Sequence, residues 1–278
     1  MSKSTMGAFL LPEGFAPPPL VALVREGSVL GEAGRYALRS RTERRTRRAT
    51  PYVGRVPVRV ADPVLLVPGF LAGDTSLSFM GRALRAQGFR TYRSAIRANI
   101  GCTLDAAGQL EARLESIAAR RGSRVQIVGH SLGGMLARGV AVRRPDLVSG
   151  IITMGSPMMA PGAHHGVLTR SVDVLVRLNR AGLAGLMSED CVAGACARQS
   201  FEESRLPLAE DVGFTAIYSK RDGIVDWRAC VDPVAEAVEV TASHVGMAVD
   251  PRVIDHVLGA LRRRSVDSVV EVDRGVSA

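Results

Sequence analysis

Short apolar runs alternate with amphipathic segments along most of this chain, and that alternation constrains its fold more than any other feature. The runs VLLV at 64–67, VQIV at 125–128 and GIIT at 150–153 are typical of strands buried on both faces. Segments with helical spacing separate the runs, and several of these segments end at glycine. The sequence therefore predicts an α/β protein with a mostly parallel central sheet and helices on both faces.

The strand and helix pattern divides the chain into regions. It occupies residues 62–264, which we interpret as one domain. Residues 1–61 are expected to be an N-terminal extension, partly helical or irregular, and residues 265–278 a C-terminal tail. The alternation breaks over 161–210, where an amphipathic helix precedes CVAGAC and a polar stretch. We interpret 161–210 as a helical cap or lid inserted into the domain.

Composition limits the partners that this chain is expected to bind. The formal net charge is +9, but the densest basic run, at 39–48, has no interleaved aromatic residues on which bases could stack. We therefore interpret the charge as a solvated surface and expect no nucleic-acid partner. The N-terminal apolar stretch is short and interrupted by Pro12, unlike a signal peptide. With no apolar run of the roughly 18–20 residues that span a membrane, a cytoplasmic location is expected, and peripheral contact with a lipid surface stays open.

The segment RVQIVGHSLGGMLAR at 124–138 joins a predicted strand to a predicted helix through a glycine-flanked turn. Ser131 is the centre of a G-x-S-x-G pattern, between Gly129 and Gly133. A nucleophile on such an elbow needs small neighbours, because side chains there would clash with the tightly turned backbone. The pattern is short, so its strand and helix context carries the prediction that Ser131 is a catalytic nucleophile.

A serine nucleophile needs two backbone N–H groups to stabilise the oxyanion that forms when it attacks a carbonyl. One is expected from Leu132, the residue after the nucleophile. The other is expected from the loop in LLVPGFLAGD, where Phe70 is the predicted donor. Gly69 would allow the backbone of that loop to approach the reacting atoms closely.

The general base should be one of five histidines. His130 adjoins the nucleophile and cannot turn back to its neighbour's hydroxyl. His164 and His165 precede the candidate acids, which is the wrong order, and His256 lies inside a periodic helix. His244 follows the strand-like run AVEV on a loop, and by elimination and chain order it is the predicted base.

The catalytic acid is expected after the run AIYS, where two aspartates occur. Asp222 comes three residues after the run and is followed by Gly223, so it is the predicted acid. Asp226 is better placed to fix the loop by hydrogen bonding. The chain order Ser131, Asp222, His244 matches the Ser, Asp, His order of the elbow architecture.

Five segments, VLLVPGF, GHSLGG, MGSP, YSKRDGIVDW and SHVGM, resemble those of α/β-hydrolases in the lipase/esterase branch and occur in that family's order. The resemblance covers roughly residues 62–264 and is specific for the fold and the triad. It implies attack by the serine on an ester carbonyl, an acyl-enzyme and its hydrolysis, with no cofactor or metal. Pro68 stands where many lipases have histidine, so a side-chain role for that histidine is lost while the backbone donor is kept.

The leading hypothesis is a serine carboxylester hydrolase acting on small-molecule or lipid-like esters. A thioesterase or acyltransferase with the same triad is the alternative, and a non-catalytic binding protein on the hydrolase fold is a third, less favoured because all three triad residues are present. The amphipathic helix of the cap is expected to cover an acyl chain, with Leu175 and Leu178 lining the cleft. The sequence leaves the oligomeric state open.

Cys191 and Cys196 are separated by four residues that include a glycine, so we expect them to lie close together in a structural role. A zinc site would need two further ligands, for which His164 and His165 are the nearby candidates. The spacing matches no standard zinc motif, so no metal is predicted.

Overall fold

Six strands form one sheet in the computed structural model, which describes residues 7–49 and 62–275. They are Val64–Val67 (β1), Thr91–Arg93 (β2), Val125–His130 (β3), Val148–Met154 (β4), Gly213–Ser219 (β5) and Glu236–Val240 (β6). Their spatial order is β2-β1-β3-β4-β5-β6, and each neighbouring pair is parallel. Because parallel strands need crossover connections, the chain returns through helices between them.

Eight α-helices accompany the sheet in the described part of the chain. They are Val29–Ala49 (α1), Ser78–Ala86 (α2), Thr103–Arg121 (α3), Leu132–Arg143 (α4), Gly166–Arg180 (α5), Asp190–Ala193 (α6), Ala195–Glu203 (α7) and Pro251–Gly275 (α8). None of these helices is both long enough and apolar enough to cross a membrane.

Each face of the sheet is covered by its own hydrophobic core. Val64 and Leu66 of β1 pack with α2 and α8 on one face, whereas Leu65 and Val67 pack with α3 and α4 on the other. Successive side chains of a strand point to opposite faces, so a strand buried on both faces must be apolar at every position. The predicted fold class, a parallel sheet with helices on both faces, is confirmed.

The inserted segment between β4 and β5 is helical, with α5, α6 and α7 inside 161–210. Val172, Met187 and Val192 of this segment pack against Phe70 and Leu132, the two residues that were predicted to form the oxyanion hole. These contacts favour the proposal that 161–210 is a cap over the sheet edge.

The regions on either side of the domain are more helical than their sequences indicated. A 3₁₀-helix at Leu20–Ser28 leads directly into α1, so most of the described N-terminal extension is helical. Residues 50–61 of that extension lie outside the described residues. At the other end α8 continues to Gly275, so the segment expected to be a separate tail from residue 265 extends the last helix of the domain.

Candidate active site

Ser131 occupies a strained turn between β3 and α4. Its backbone has φ 52° and ψ −124°, a conformation that residues other than glycine rarely adopt. A Cβ atom at Gly129 would overlap the backbone of Gly134, and one at Gly133 would overlap the carbonyl oxygen of Val67. Both glycines of the G-x-S-x-G pattern are therefore required by the close approach of α4 to β3 and to the end of β1.

Asp222 and His244 form a buried hydrogen-bonded pair on the loops after β5 and β6. Nδ1 of His244 lies 2.7 Å from Oδ2 of Asp222, and both side chains are almost fully buried. The other carboxylate oxygen accepts hydrogen bonds from the N–H groups of Ile224 and Val225, each at 2.8 Å. With a carboxylate as its partner, Nδ1 carries the proton, which leaves Nε2 as the basic nitrogen.

The electrostatic surroundings of His244 favour its protonated form. Burial alone lowers the pKa of this imidazole and is the largest single influence on it. The charge and hydrogen bond of Asp222, together with the charge of Glu26, outweigh burial, so the pKa of His244 lies above the ordinary value of 6.5. His244 is therefore a stronger base than a free histidine.

His130, beside Ser131 at the end of β3, contacts His244 on the loop after β6. Its Nε2 lies 2.9 Å from the carbonyl oxygen of His244, and the two ring centroids are 4.9 Å apart. Burial, followed by the charge of His244, lowers the pKa of His130 to about 4, so it remains neutral and donates its N–H. Within the described residues no hydrogen bond joins Ser131 to His244, and such catalytic bonds commonly tighten only when substrate binds.

The two aspartates after β5 have different surroundings. Among the described residues Asp226, unlike Asp222, has no hydrogen bond to His244; its Oδ1 accepts hydrogen bonds from the backbone N–H and the Nε of Arg228. Its Oδ2 accepts a hydrogen bond from the N–H of Ala16 at 3.3 Å. Asp226 therefore joins its own loop to the N-terminal extension, and the structure brings Asp222 to His244, the predicted base.

The N–H groups of Phe70 and Leu132 were predicted from the sequence to form the oxyanion hole. In the described part of the chain, neither Phe70 nor Leu132 donates its N–H to a backbone acceptor. The loop is held by Asn99, whose Nδ2 donates to the carbonyl oxygen of Pro68 at 3.0 Å. A Cβ atom at Gly69 would come within 3.0 Å of the Cβ of Ser131, so the loop passes directly over the serine.

An apolar cavity of about 130 Å³ opens at Ser131 and extends beneath the cap. The elbow and the oxyanion loop line one end of it, and Leu168 and Val172 of α5 line the cap side. The expectation that Leu175 and Leu178 line the cleft is wrong, because Leu175 is buried outside the cavity and Leu178 is 39% exposed. Helix α5 presents its first turns, rather than its last, to the cavity.

The predicted proximity of Cys191 and Cys196 extends to a third thiol. Cys102 has its Sγ 3.3 Å from that of Cys196, and the three sulfur atoms lie within 4.8 Å of one another. His164 and His165 are not part of this group, which is the set of described residues that could hold a thiophilic metal ion. Burial, followed by a hydrogen bond with Cys102, raises the pKa of Cys196 to about 12, so the thiol stays protonated near neutral pH.

Sequence reasoning missed two carboxylates that contact the loop of the base. Glu26 accepts hydrogen bonds from the N–H groups of Gly223, His244 and Val245, and Glu32 accepts two from Ser243. Both glutamates lie in the N-terminal extension, outside the region that resembles a known family. The only signal in the sequence was that acidic residues interrupt an otherwise apolar and basic segment.

Comparison with known proteins supports the fold. A family model described as the PGAP1-like alpha/beta domain matches residues 74–181, which include the elbow, and no curated protein matches the sequence. The mature form of the Bacillus licheniformis lipase BlEst2 has 14% sequence identity and a TM-score of 0.57, with 76% of this chain and 96% of that chain covered. The metagenomic carboxyl esterase MGS0156 has 16% identity and a TM-score of 0.54, with 80% of each chain covered. The chain therefore has the α/β-hydrolase fold, as the sequence predicted.

Exchanging each aspartate for asparagine separates their roles. We expect Asp222→Asn to lower kcat by roughly 10⁴-fold with a small change in Tm, because an amide partner favours the wrong imidazole tautomer. Asp226→Asn is the matched control and should mainly lower Tm, since its partners are Arg228 and the N–H of Ala16. The measurement is ester turnover beside thermal unfolding for both variants. A reversed pattern would assign the acid role to Asp226.

Serine replacements test whether the thiols act in structure or in chemistry. We expect the double variant Cys102→Ser/Cys196→Ser to keep kcat within about twofold of the wild-type value and to have a lower Tm. The reason is that polar hydroxyls replace two thiols packed between α3 and the cap. Ester turnover and thermal unfolding provide the two readings, and the single variant Cys230→Ser controls for loss of a buried thiol elsewhere. A stable double variant without turnover would contradict a structural role.

Proposed function

We propose that this protein is a serine carboxylester hydrolase that cleaves acyl or lipid-like esters through an acyl-enzyme. The observation that carries the proposal is the buried Asp222–His244 pair, which lies at the same edge of the sheet as the strained Ser131. In a parallel sheet the carboxyl ends of all strands share one edge, and β3, β5 and β6 each supply one member of the triad. The lipase and esterase among the similar structures are consistent with this chemistry.

The proposed reaction has two half-steps. Nε2 of His244 accepts the hydroxyl proton of Ser131 as Oγ forms a bond to the ester carbonyl carbon, and the oxyanion accepts hydrogen bonds from the N–H groups of Phe70 and Leu132. His244 then gives its proton to the leaving alkoxide as the ester C–O bond breaks. In the second step His244 accepts a proton from water, whose oxygen attacks the acyl carbon, and Oγ leaves with the proton returned.

The surroundings of His244 set the direction of the pH dependence. Attack by the serine requires an unprotonated Nε2, and the raised pKa of His244 keeps that nitrogen protonated to a higher pH than in a free histidine. The rate of the proposed enzyme therefore falls on the acidic side at a pH above the ordinary histidine pKa of 6.5.

The cavity indicates the acyl group of the substrate. It is lined mainly by apolar side chains and begins at the nucleophile, so the acyl chain of an ester fits along it better than a polar or charged group would. Leu10 of the N-terminal extension and Phe201 of α7 close other parts of its wall. We infer that residues 161–210 act as the cap that sets acyl-chain preference on the hydrolase domain of 62–264.

Replacing the nucleophile tests the proposed chemistry directly. We expect Ser131→Ala to lose at least about 10⁴-fold in kcat for p-nitrophenyl esters and to lose labelling by a fluorophosphonate, while far-UV circular dichroism and Tm stay close to wild type. Ser156→Ala is a control that should keep both properties, because Ser156 is a buried serine beside Gly134 whose hydroxyl donates to the carbonyl oxygen of Met154. Turnover or labelling that survives in a folded Ser131→Ala variant would reject the assignment.

Narrowing the cavity tests the role of the cap. We expect Leu168→Trp to reduce kcat/KM for octanoate esters by about tenfold or more and to change acetate hydrolysis little, because an indole on the cap side of the cavity takes up volume that a long acyl chain needs and a short one does not. Leu178→Trp, on the exposed side of the same helix, is the matched control. Esterase assays over a series of acyl-chain lengths provide the measurement. Equal losses for every chain length in Leu168→Trp would show general destabilisation instead.

A further inference from the structure

We propose that the N-terminal extension is part of the active site, and that Glu26 is a positioning residue that holds the loop of the acid and the loop of the base together. The inference rests on the proposed function for its consequence in turnover. The effect of Glu26 on the titration of His244 can be measured without any ester substrate.

A single carboxylate spans the two loops. Oε1 of Glu26 accepts a hydrogen bond from the N–H of Gly223, next to the acid, at 2.8 Å, and another from the N–H of His244 at 3.0 Å. Its Oε2 accepts a third from the N–H of Val245 at 3.0 Å. Hydrogen bonds to an ionised acceptor are stronger and more directional than those between neutral groups. Glu26 therefore fixes the distance between the segments that carry Asp222 and His244.

A second carboxylate holds the residue before the base. Glu32 is only 1% exposed, and it accepts hydrogen bonds from the N–H and the Oγ of Ser243 at 2.8 and 2.7 Å. Ser28 donates a further hydrogen bond to it from within the N-terminal extension. A buried carboxylate is retained only where donors compensate its lost hydration, and Ser243 and Ser28 supply them. The start of the His244 loop is thus anchored to α1.

Both loops have glycine where the N-terminal extension touches them. A Cβ atom at Gly223 would overlap the carbonyl oxygen of Ala22, and one at Gly246 would overlap the carboxylate of Glu32. Neither glycine has a positive φ, so close approach of the extension, rather than backbone conformation, excludes a side chain there. The extension and the two loops therefore fit together as one packed unit.

The charge of Glu26 also acts on the base. Three titratable residues in the described part of the chain form hydrogen bonds with His244: Asp222, Glu26 and the neutral His130. Glu32 binds Ser243, the residue before His244. A negative charge on Glu26 stabilises the imidazolium and contributes to the raised pKa of His244. Neutralising Glu26 should lower that pKa and move the acidic limb of the rate profile to lower pH.

The test uses the full-length chain and the variant Glu26→Gln, which keeps the size of the side chain and removes its charge. We expect kcat at the pH plateau to fall about tenfold, because the amide group opposes one of the three backbone N–H donors and shifts the loop. We expect KM to change less than about twofold, since Glu26 does not line the cavity. The acidic limb of kcat/KM should move to lower pH.

Two further variants separate charge from packing. Glu26→Asp keeps the charge on a shorter side chain, so it should retain an acidic limb close to that of wild type even where kcat falls. Glu43→Gln is the matched control, since Glu43 lies on the same extension but pairs with Arg39 instead of the catalytic loops. It should leave both kcat and the pH profile unchanged. All assays are run below the Tm of the least stable variant.

The histidine titration is also followed by NMR, with the His244 signal assigned by its loss in His244→Gln. A lower His244 pKa in Glu26→Gln, with wild-type behaviour in Glu43→Gln, supports the proposal even if no ester is cleaved, in which case only the proposed function fails. An unchanged His244 titration in folded Glu26→Gln overturns the proposal. A Glu26→Gln variant with lower Tm and lower kcat but an unchanged acidic limb of the kcat/KM profile also overturns the proposal, because that combination shows that Glu26 contributes to stability alone.

Discussion

Asp222 and His244 form a hydrogen bond while both side chains are buried, so both have lost most of their hydration. Neighbouring groups offset the free-energy cost of that lost hydration. A buried carboxylate and imidazole are stable together only when further donors and charges replace their hydration. Backbone N–H groups of Ile224 and Val225 bind the carboxylate, and Glu26 holds the backbone on both sides of the pair. The orientation of His244 is therefore fixed by backbone N–H groups and by the carboxylate of Glu26 in the N-terminal extension, and Glu26 does not line the cavity at Ser131.

The parts of the fold and site that follow from local pattern could be predicted from the sequence. Strand and helix alternation predicts the parallel sheet, and the strand, elbow and helix around Ser131 locate the candidate nucleophile. Asp222 and His244 follow because each comes just after a strand, and parallel strands end at the same edge. Local patterns, their order along the chain and the geometry of parallel sheets contain this information, so no contact between particular distant side chains has to be known.

The features that sequence reasoning missed depend on contacts between distant parts of the chain. The thiols of Cys102 and Cys196 are in contact although the two residues are 94 positions apart in the sequence. A spacing rule applied within one segment cannot detect such a contact. His130 was set aside because it cannot reach its neighbour's hydroxyl, yet its ring forms a hydrogen bond with the carbonyl oxygen of His244, 114 positions away. The sequence shows that α5 has an apolar face. It does not show that Leu168 and Val172, in the first turns of the helix, line the cavity, because that depends on how the helix packs on the domain.

The contact between Glu26 and His244 joins residues 218 positions apart, and this separation affects how the protein is made. During synthesis the N-terminal extension leaves the ribosome long before its binding loops exist, so Glu26 and Glu32 stay hydrated until β6 and the loop after it have been added. A copy terminated before that point contains Ser131 and Glu26 but lacks His244, the base of the proposed mechanism. Under the proposed function, ester cleavage therefore begins only when nearly the whole chain has been translated and folded, and incomplete copies have no esterase activity.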